Sequence, residues 1–202
     1  MKLYYSTGAC SLSPNIVAHE IGLPIELVKI ADKKTPDGRD FWQINPKGYV
    51  PALELDNGEI LTEGPAIVQY LADQKPEAGL VPAAGTMERY RVQEMLGFIN
   101  SELHKSFSPL FTPGTTDEVR AERLAYLNKR YRTVENALAG KSYLFGDQFT
   151  IADAYLFTVT NWARFVKLDL ADFPNLLGFQ ARVAARAGVQ AAMTAEGLLK
   201  KS

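Results

Sequence analysis

The pattern of hydrophobic and polar positions changes character near residues 76–86. Before this stretch, short β-prone runs alternate with runs of helical spacing, whereas after it apolar residues recur at helical spacing. The stretch itself contains prolines and glycines that interrupt both patterns. The sequence therefore predicts a first domain over residues 1–76, a linker over 77–86 and an all-helical domain over 87–202.

The first part has the pattern of a small α/β domain. Strands are predicted at 2–5, 25–30, 52–55 and 59–61, and helices at 14–20 and 65–74. The pair Asn57-Gly58 predicts a hairpin between the last two strands, because both residues tolerate a positive φ. The predicted order is βαβ followed by ββα.

The second part is predicted to be helical, with helices at 87–105, 117–138, 152–166 and 173–186. The third of these helices begins at Thr150-Ile151-Ala152-Asp153, which has the form of a capping box with Asp in place of Glu. An apolar run follows directly, so we expect a central core helix here.

Composition excludes several classes of function. The 202 residues contain 22 basic and 23 acidic side chains, which gives no reason to expect a nucleic acid or an acidic membrane as partner. The N-terminus becomes polar too early for a signal peptide, and no apolar run approaches the ~20 residues of a membrane span. One cysteine cannot form an internal disulfide, and a reducing cytoplasm is the predicted location. One cysteine and two distant histidines offer no metal-ligand spacing, so neither a metal nor a cofactor is expected.

The single cysteine, Cys10, lies between a predicted strand and a predicted helix. Ser13 is a suitable N-cap and Pro14 suits the first helical turn, which places Cys10 just ahead of a helix N-terminus. The free amides and dipole of such a terminus favour a thiolate. The alternative is a buried, inert thiol.

Two further segments of the first domain are candidates for ligand binding. Pro51 stands at the entrance of a strand, where a cis bond would turn the backbone of Val50 towards a ligand, and a trans edge-strand proline is the alternative. At Glu63-Gly64, the amides of a helix start and one carboxylate would hold the two charges of an amino-acid head group. Ordinary helix capping is the other interpretation.

In the helical part, small and polar side chains form a stripe beside an apolar helix face. The stripe either lines a cleft or is a solvated helix edge, and it consists of Gln93, Gly97, Asn100, Ser101 and His104. With Lys105, His104 would bring positive charge or N–H donors to an anion.

These segments together resemble the cytosolic glutathione transferases, specifically the bacterial beta class. The matching segments run almost from end to end: 1–5 and 8–13, Asn45-Pro46-Lys47-Gly48-Tyr49-Val50-Pro51-Ala52-Leu53, 61–73, Ser101-Glu102-Leu103-His104-Lys105, and 149–157. The resemblance implies a thioredoxin-like N-terminal domain that binds glutathione, an all-α C-terminal domain that contributes the pocket for the electrophile, and a homodimer.

The resemblance also implies roles for single residues of the first domain. Cys10 corresponds to a catalytic cysteine beside the glutathione sulfur that can form a mixed disulfide with it. Val50 corresponds to a valine whose backbone pairs with the cysteinyl part of glutathione, ahead of a cis proline at Pro51. Glu63 and Gly64 correspond to the pair that holds the γ-glutamyl end.

The remaining implied contacts come from a loop and from the helical domain. Lys33 corresponds to a lysine that reaches the glycyl carboxylate, with Lys34 as an alternative. Trp162 corresponds to a residue of the pocket for the electrophile. Three helix residues are implied to face the glutathione cleft: Ser101, His104 and Lys105. Of these, His104 is implied to lie next to the sulfur and to be part of the catalytic machinery.

One position departs from the family pattern. Gly97 stands where related sequences carry an asparagine that touches glutathione across the dimer interface, so a hydrogen bond worth ~1 kcal/mol is absent.

The predicted function is conjugation of the glutathione thiolate to electrophilic, hydrophobic small molecules, with possible thiol–disulfide exchange at Cys10. The alternative from another class is a non-catalytic protein that binds glutathione or apolar ligands.

Overall fold

A computed structural model describes residues 1–200 of the chain. Its described residues form two compact units, one of residues 1–81 with 185–200 and the other of residues 82–184. No helix within 1–200 is both long enough and apolar enough to cross a membrane.

The secondary structure consists of four strands, ten α-helices, one 3₁₀ turn and one π-helical segment within the described residues. In chain order the elements are β1 Lys2–Tyr5, α1 Leu12–Glu20, β2 Glu26–Lys29, α2 Phe41–Ile44, β3 Ala52–Glu54, β4 Ile60–Thr62, α3 Gly64–Asp73, the 3₁₀ turn Pro76–Ala78, α4 Met87–Phe98, the π segment Ile99–His104, α5 Lys105–Phe111, α6 Asp117–Ala137, α7 Ile151–Thr160, α8 Ala163–Val166, α9 Pro174–Ala184 and α10 Ala187–Ala195.

The strands form one mixed sheet in the order β2-β1-β3-β4. β1 pairs in parallel with β2, whereas the pairs β1–β3 and β3–β4 are antiparallel. In this register Leu3 lies opposite Leu53, and both are fully buried. The sheet and its helices are the thioredoxin-like βαβ-ββα arrangement that the sequence predicts.

The C-terminal helix α10 belongs to the unit that contains the sheet. It packs against α1, where the buried Asn15 side chain donates from Nδ2 to the carbonyl of Ala192 at 3.3 Å. At the N-cap of α10, the Arg186 guanidinium makes two hydrogen bonds, of 2.9 and 2.6 Å, to the carboxylate of Glu20. Residues 185–200 therefore belong to the unit that contains the sheet, although the sequence predicts them as part of the 87–202 domain.

The second unit is built around α7, all ten residues of which are buried. The predicted capping box is confirmed: the Asp153 carboxylate accepts the backbone N–H of Thr150 at 2.8 Å. A second buried carboxylate, that of Glu135 on α6, accepts the N–H groups of Asn175 and Leu176 and so caps the first turn of α9. Buried anions at helix starts satisfy amides that otherwise have no partner.

Several predicted helix boundaries are wrong. The helix predicted to begin at Pro14 begins at Leu12, and its N-cap is Ser11 instead of Ser13. The helix predicted over 87–105 changes to π-helical geometry at Ile99, and the one predicted over 152–166 is interrupted after Thr160. The helix predicted over 173–186 ends at Ala184, and neither α10 nor the short α2 was predicted. Apolar periodicity locates helices but does not reveal a widened turn or a short break.

Candidate functional site: a thiol loop with a lysine pocket, and a histidine cluster

Cys10 lies in a tight loop between β1 and α1. The Ser11 hydroxyl accepts the backbone N–H of Ser6 at 3.2 Å and donates to the Ser6 carbonyl at 3.2 Å, which closes the loop. The Ser13 hydroxyl donates to the Cys10 carbonyl at 3.0 Å instead of capping the helix. Cys10 thus lies just ahead of a helix N-terminus, as the sequence predicts, but the helix starts two residues after it at Leu12 instead of four residues after it at Pro14.

The Cys10 thiol is half-buried and contacts the segment that precedes β3. Its Sγ lies 3.2 Å from the Val50 carbonyl oxygen, within the range of a thiol donor. The Val50–Pro51 peptide bond is cis, as the resemblance implied. The buried Asn45 side chain accepts from Lys47 N–H and donates to the Tyr49 carbonyl at 2.7 Å, which holds the preceding turn.

A carboxylate from the C-terminal segment supports the Cys10 loop. Glu196 is buried, and its Oε2 accepts the N–H of Gly8 at 2.9 Å while its Oε1 accepts from Asn15 Nδ2 at 3.2 Å. Burial raises the pKa of Glu196 to about 6, against the effect of these two donors. Glu196 is not predicted from the sequence, because nothing near it in the chain indicates its partners.

A surface pocket of about 560 Å³ adjoins the Val50 segment and is lined partly by Ser6, Ile30, Lys33, Phe41, Tyr49 and Val50. Lys33 Nζ donates to the Gly48 carbonyl at 2.6 Å and lies 5.6 and 5.7 Å from the ring centroids of Trp42 and Tyr49. The backbone of Lys34 instead forms bridges with Ala31 and Asp40, and Lys34 is not among the lining residues. The pocket therefore brings Lys33, rather than Lys34, together with Val50.

The Glu63-Gly64 pair occupies the turn from β4 into α3, with an unexpected division of roles. The positive φ of 70° falls on Glu63, while Gly64 is already helical. For a non-glycine residue this backbone conformation costs about 1–3 kcal/mol of strain energy, and residues strained in this way cluster at functional sites. The exposed Glu63 carboxylate forms an ion pair with Lys47 Nζ at 2.8 Å. In the structure the partner of this carboxylate is therefore the Lys47 ammonium group.

In the second unit, His104 ends the π-helical segment. Wide π turns inside α-helices are frequent at functional sites. Ser101 on this segment is exposed, and its hydroxyl donates back to the Gly97 carbonyl at 3.0 Å. Lys105 follows His104 at the start of α5 and is exposed. From Ile99 to His104 the geometry is π-helical, so the side chains of this segment do not follow the α-helical spacing from which the stripe was predicted.

Aromatic rings surround His104. The Trp162 ring meets the imidazole edge-on, with centroids 4.9 Å apart, and Trp162 is only 8% exposed. The rings of Phe107 and Phe111 pack against the same indole, with centroid distances of 5.6 and 6.2 Å. The structure therefore brings together His104 and Trp162, two residues that the sequence analysis assigned to separate parts of the site.

One member of the His104 cluster, Tyr155, was missed as a functional candidate, whereas Asn100 belongs to the predicted stripe. His104 Nδ1 lies 2.6 Å from the Tyr155 hydroxyl, which also donates to Asn100 Oδ1 at 2.9 Å. The sequence places Tyr155 in a core helix, and a buried tyrosine hydroxyl requires a partner. This requirement predicts a polar contact without identifying His104 as the partner.

The two units define a thioredoxin-like domain with a thiol loop and a helical domain with a histidine cluster. Two family models match the chain: glutathione S-transferase, N-terminal domain, over residues 12–79 and glutathione S-transferase, C-terminal domain, over residues 98–187. The chain is 46% identical to glutathione S-transferase GstA of Escherichia coli O157:H7, over 98% of this chain and all of that one. The chain belongs to the glutathione S-transferase family.

Two solved structures refine this assignment. A ternary complex of BphK, a bacterial glutathione S-transferase, is 54% identical with a TM-score of 0.96, over 98% of this chain and 100% of that one. The beta-class glutathione S-transferase of Sphingomonas chungbukensis is 46% identical with a TM-score of 0.95 and the same coverage. The predicted beta-class assignment is confirmed, and the non-catalytic alternative finds no support among these relatives.

Proposed function

We propose that this protein conjugates the thiolate of glutathione to an electrophilic carbon of a hydrophobic small molecule. The observation that supports this most directly is the contact between the Cys10 thiol and the carbonyl of Val50, beside a pocket that contains the Lys33 ammonium. A peptide thiol with a free carboxylate suits such a site, because the backbone of Val50 and a cation are offered together.

Each predicted residue has a role in this proposal. Lys33 binds the glycyl carboxylate, the backbone of Val50 ahead of Pro51 aligns the cysteinyl part, and Glu63 with the amide of Gly64 binds the γ-glutamyl end. The helical unit contributes Ser101, His104 and Lys105 near the sulfur and Trp162 to the electrophile pocket. Glutathione is then a co-substrate, and the chemistry requires no metal or resident cofactor.

Turnover of a chloroaromatic electrophile with glutathione tests this proposal. Lys33→Ala should raise the KM for glutathione severalfold, while the matched change Lys34→Ala should leave it unchanged. Wild-type protein that binds glutathione but shows no turnover above the uncatalysed rate would contradict the proposed activity. Equal effects of the two lysine variants would contradict the role of Lys33.

Cys10 supports a second reaction, thiol–disulfide exchange. The Cys10 thiolate attacks one sulfur of oxidised glutathione, a mixed disulfide forms and one glutathione thiolate leaves. At pH 6 a free cysteine with a pKa of ~8.5 is only about 0.3% ionised. We expect Cys10 to react with a thiol-labelling reagent faster than free cysteine at this pH, and to gain one glutathionyl group reversibly.

The Cys10→Ala variant separates exchange from conjugation. It should lose labelling and disulfide exchange but retain substantial conjugation, which uses the thiolate of glutathione itself. Labelling no faster than that of free cysteine, with no adduct by mass spectrometry, would return Cys10 to the role of an inert thiol.

We also propose a homodimer with two-fold symmetry and a cytoplasmic location, where a single cysteine stays reduced. Light scattering at micromolar concentration should give twice the 22.3 kDa mass of one chain. A monomer mass at this concentration would contradict the dimer.

A further inference from the structure

The buried Tyr155 hydroxyl connects two side chains of the π segment. Tyr155 is 1% exposed, and its oxygen lies 2.6 Å from His104 Nδ1 and 2.9 Å from Asn100 Oδ1. Asn100 and His104 lie at the two ends of one wide turn, so a single hydroxyl on α7 reaches both. The Trp162 ring packs edge-on against the imidazole and restricts its rotation.

The number of protons in this chain of contacts determines the direction of each hydrogen bond. A tyrosine hydroxyl has one hydrogen, and an amide oxygen can only accept. Because the Tyr155 hydrogen is donated to Asn100 Oδ1, the short contact with His104 requires a hydrogen on Nδ1. A neutral imidazole has only one N–H, so its Nε2 then bears the lone pair.

We infer that Tyr155 and Asn100 are positioning residues that hold neutral His104 in the Nδ1–H tautomer, with Nε2 as a proton acceptor. The consequence for catalysis rests on the proposed function, in which His104 lies next to the glutathione sulfur. There the S–H proton of glutathione passes to Nε2, which leaves a thiolate and an imidazolium. The Nδ1–H bond to Tyr155 is present before and after this transfer, so no reorganisation of the cluster is needed.

His104 then has a different role from the one that its sequence context predicts, which is to supply positive charge or N–H donors. The hydrogen-bond directions instead make neutral His104 a base at Nε2, which becomes a donor to the thiolate only after it has taken up the proton. Reversal of the Asn100 amide would reverse both hydrogen bonds and place the hydrogen on Nε2, so the tautomer itself is the decisive measurement.

The tautomer can be read from ¹⁵N chemical shifts of labelled histidine, because the chain has only two histidines. His19→Gln assigns the two sets of signals, since His19 is an exposed residue of α1. At a pH where His104 is neutral, we expect Nδ1 to show the shift of a protonated nitrogen and Nε2 that of an unprotonated one. A wild-type spectrum with the hydrogen on Nε2 would overturn the inference.

Two substitutions test the positioning role. Tyr155→Phe should move His104 towards the Nε2–H tautomer. Asn100→Asp should retain Nδ1–H, because a carboxylate keeps the acceptor oxygen and has no N–H group that could replace it. Tyr126→Phe is the matched control, because the Tyr126 hydroxyl contacts Glu102 in the same unit, and it should leave the His104 shifts unchanged. An unchanged tautomer in Tyr155→Phe would also overturn the inference.

Kinetics then connect the tautomer to the reaction. If only the Nδ1–H tautomer of His104 can accept the proton of glutathione, kcat should fall with the fraction of His104 in that tautomer. For Tyr155→Phe we expect a decrease of about threefold to tenfold in kcat, with the KM for glutathione unchanged. A KM effect alone would contradict the positioning role. Full activity in His104→Ala would instead contradict the catalytic role of His104, while the tautomer measured by NMR would be unaffected by that result.

Discussion

Asp153 provides a quantitative test of how the helical unit is stabilised. Its side chain is fully buried and accepts three hydrogen bonds: from the N–H of Thr150 at 2.8 Å, from the Thr150 hydroxyl at 2.7 Å and from the N–H of Leu144 at 2.9 Å. Asp153→Ala removes the acceptor for all three donors. Two of these donors are backbone amides that cannot turn elsewhere.

The expected loss follows from these donors and from the buried charge. Each buried N–H left without a partner costs ~1–3 kcal/mol, so the two amides together account for about 2–6 kcal/mol. Burial, however, raises the pKa of Asp153 from 3.8 to about 6, so at pH 7 the folded state bears the cost of a buried carboxylate that alanine does not have. A pKa raised from 3.8 to about 6 corresponds to about 3 kcal/mol. The cost of the two unpaired amides, less this amount, gives an expected net loss of about 1 kcal/mol in the free energy of unfolding at pH 7.

The loss should depend on pH in a defined direction. The folded state binds the Asp153 proton more tightly than the unfolded state, so wild type gains stability relative to Asp153→Ala as the pH falls from about 7 to about 4. The difference between the two proteins should thus be larger at pH 4.5 than at pH 7. Denaturant titrations at fixed protein concentration measure both values.

Asp169→Ala is the matched control, because Asp169 also accepts a backbone N–H, that of Ala171 at 2.9 Å, but in an exposed loop. It should change the free energy of unfolding by no more than about 0.5 kcal/mol. An unchanged denaturation midpoint in Asp153→Ala would refute the capping argument. A difference that grows with rising pH would refute the conclusion that burial dominates the pKa.

Two further outcomes are expected from the same titrations. Gly97→Ala should stabilise by about 0.5–1 kcal/mol, because Gly97 lies inside α4 and an added Cβ would meet nothing within 4 Å. Gly188→Ala should destabilise, because its Cβ would lie 2.8 Å from the Glu20 carboxylate, which two hydrogen bonds from Arg186 hold in place. Equal effects at the two glycines would contradict this. Glu196→Gln should remove a fall in stability of up to ~2 kcal/mol between pH 4.5 and 7, since the pKa of Glu196 is raised from 4.5 to about 6 and the folded state is disfavoured as this carboxyl ionises. An identical pH dependence in wild type and Glu196→Gln would contradict it.

The order of the secondary-structure elements follows from local sequence patterns, because each element depends on neighbours in the chain. Period-two and helical spacing, together with Asn57-Gly58, predicted the βαβ-ββα order, and the capping box at Asp153 was read correctly from four residues. The positions of Cys10 before a helix and of Val50 before a strand follow from the same local rules. The structure confirms these features.

The contacts between distant segments, in contrast, are visible only in the folded chain. Glu196 meets Gly8 across 188 residues, and His104 meets Tyr155 across 51. Neither pair has a local pattern, because a buried carboxylate or hydroxyl requires some partner without specifying which one. The π turn that ends at His104 and the positive φ of Glu63 are likewise set by packing, which overrides the local preference for an α-helix or for glycine.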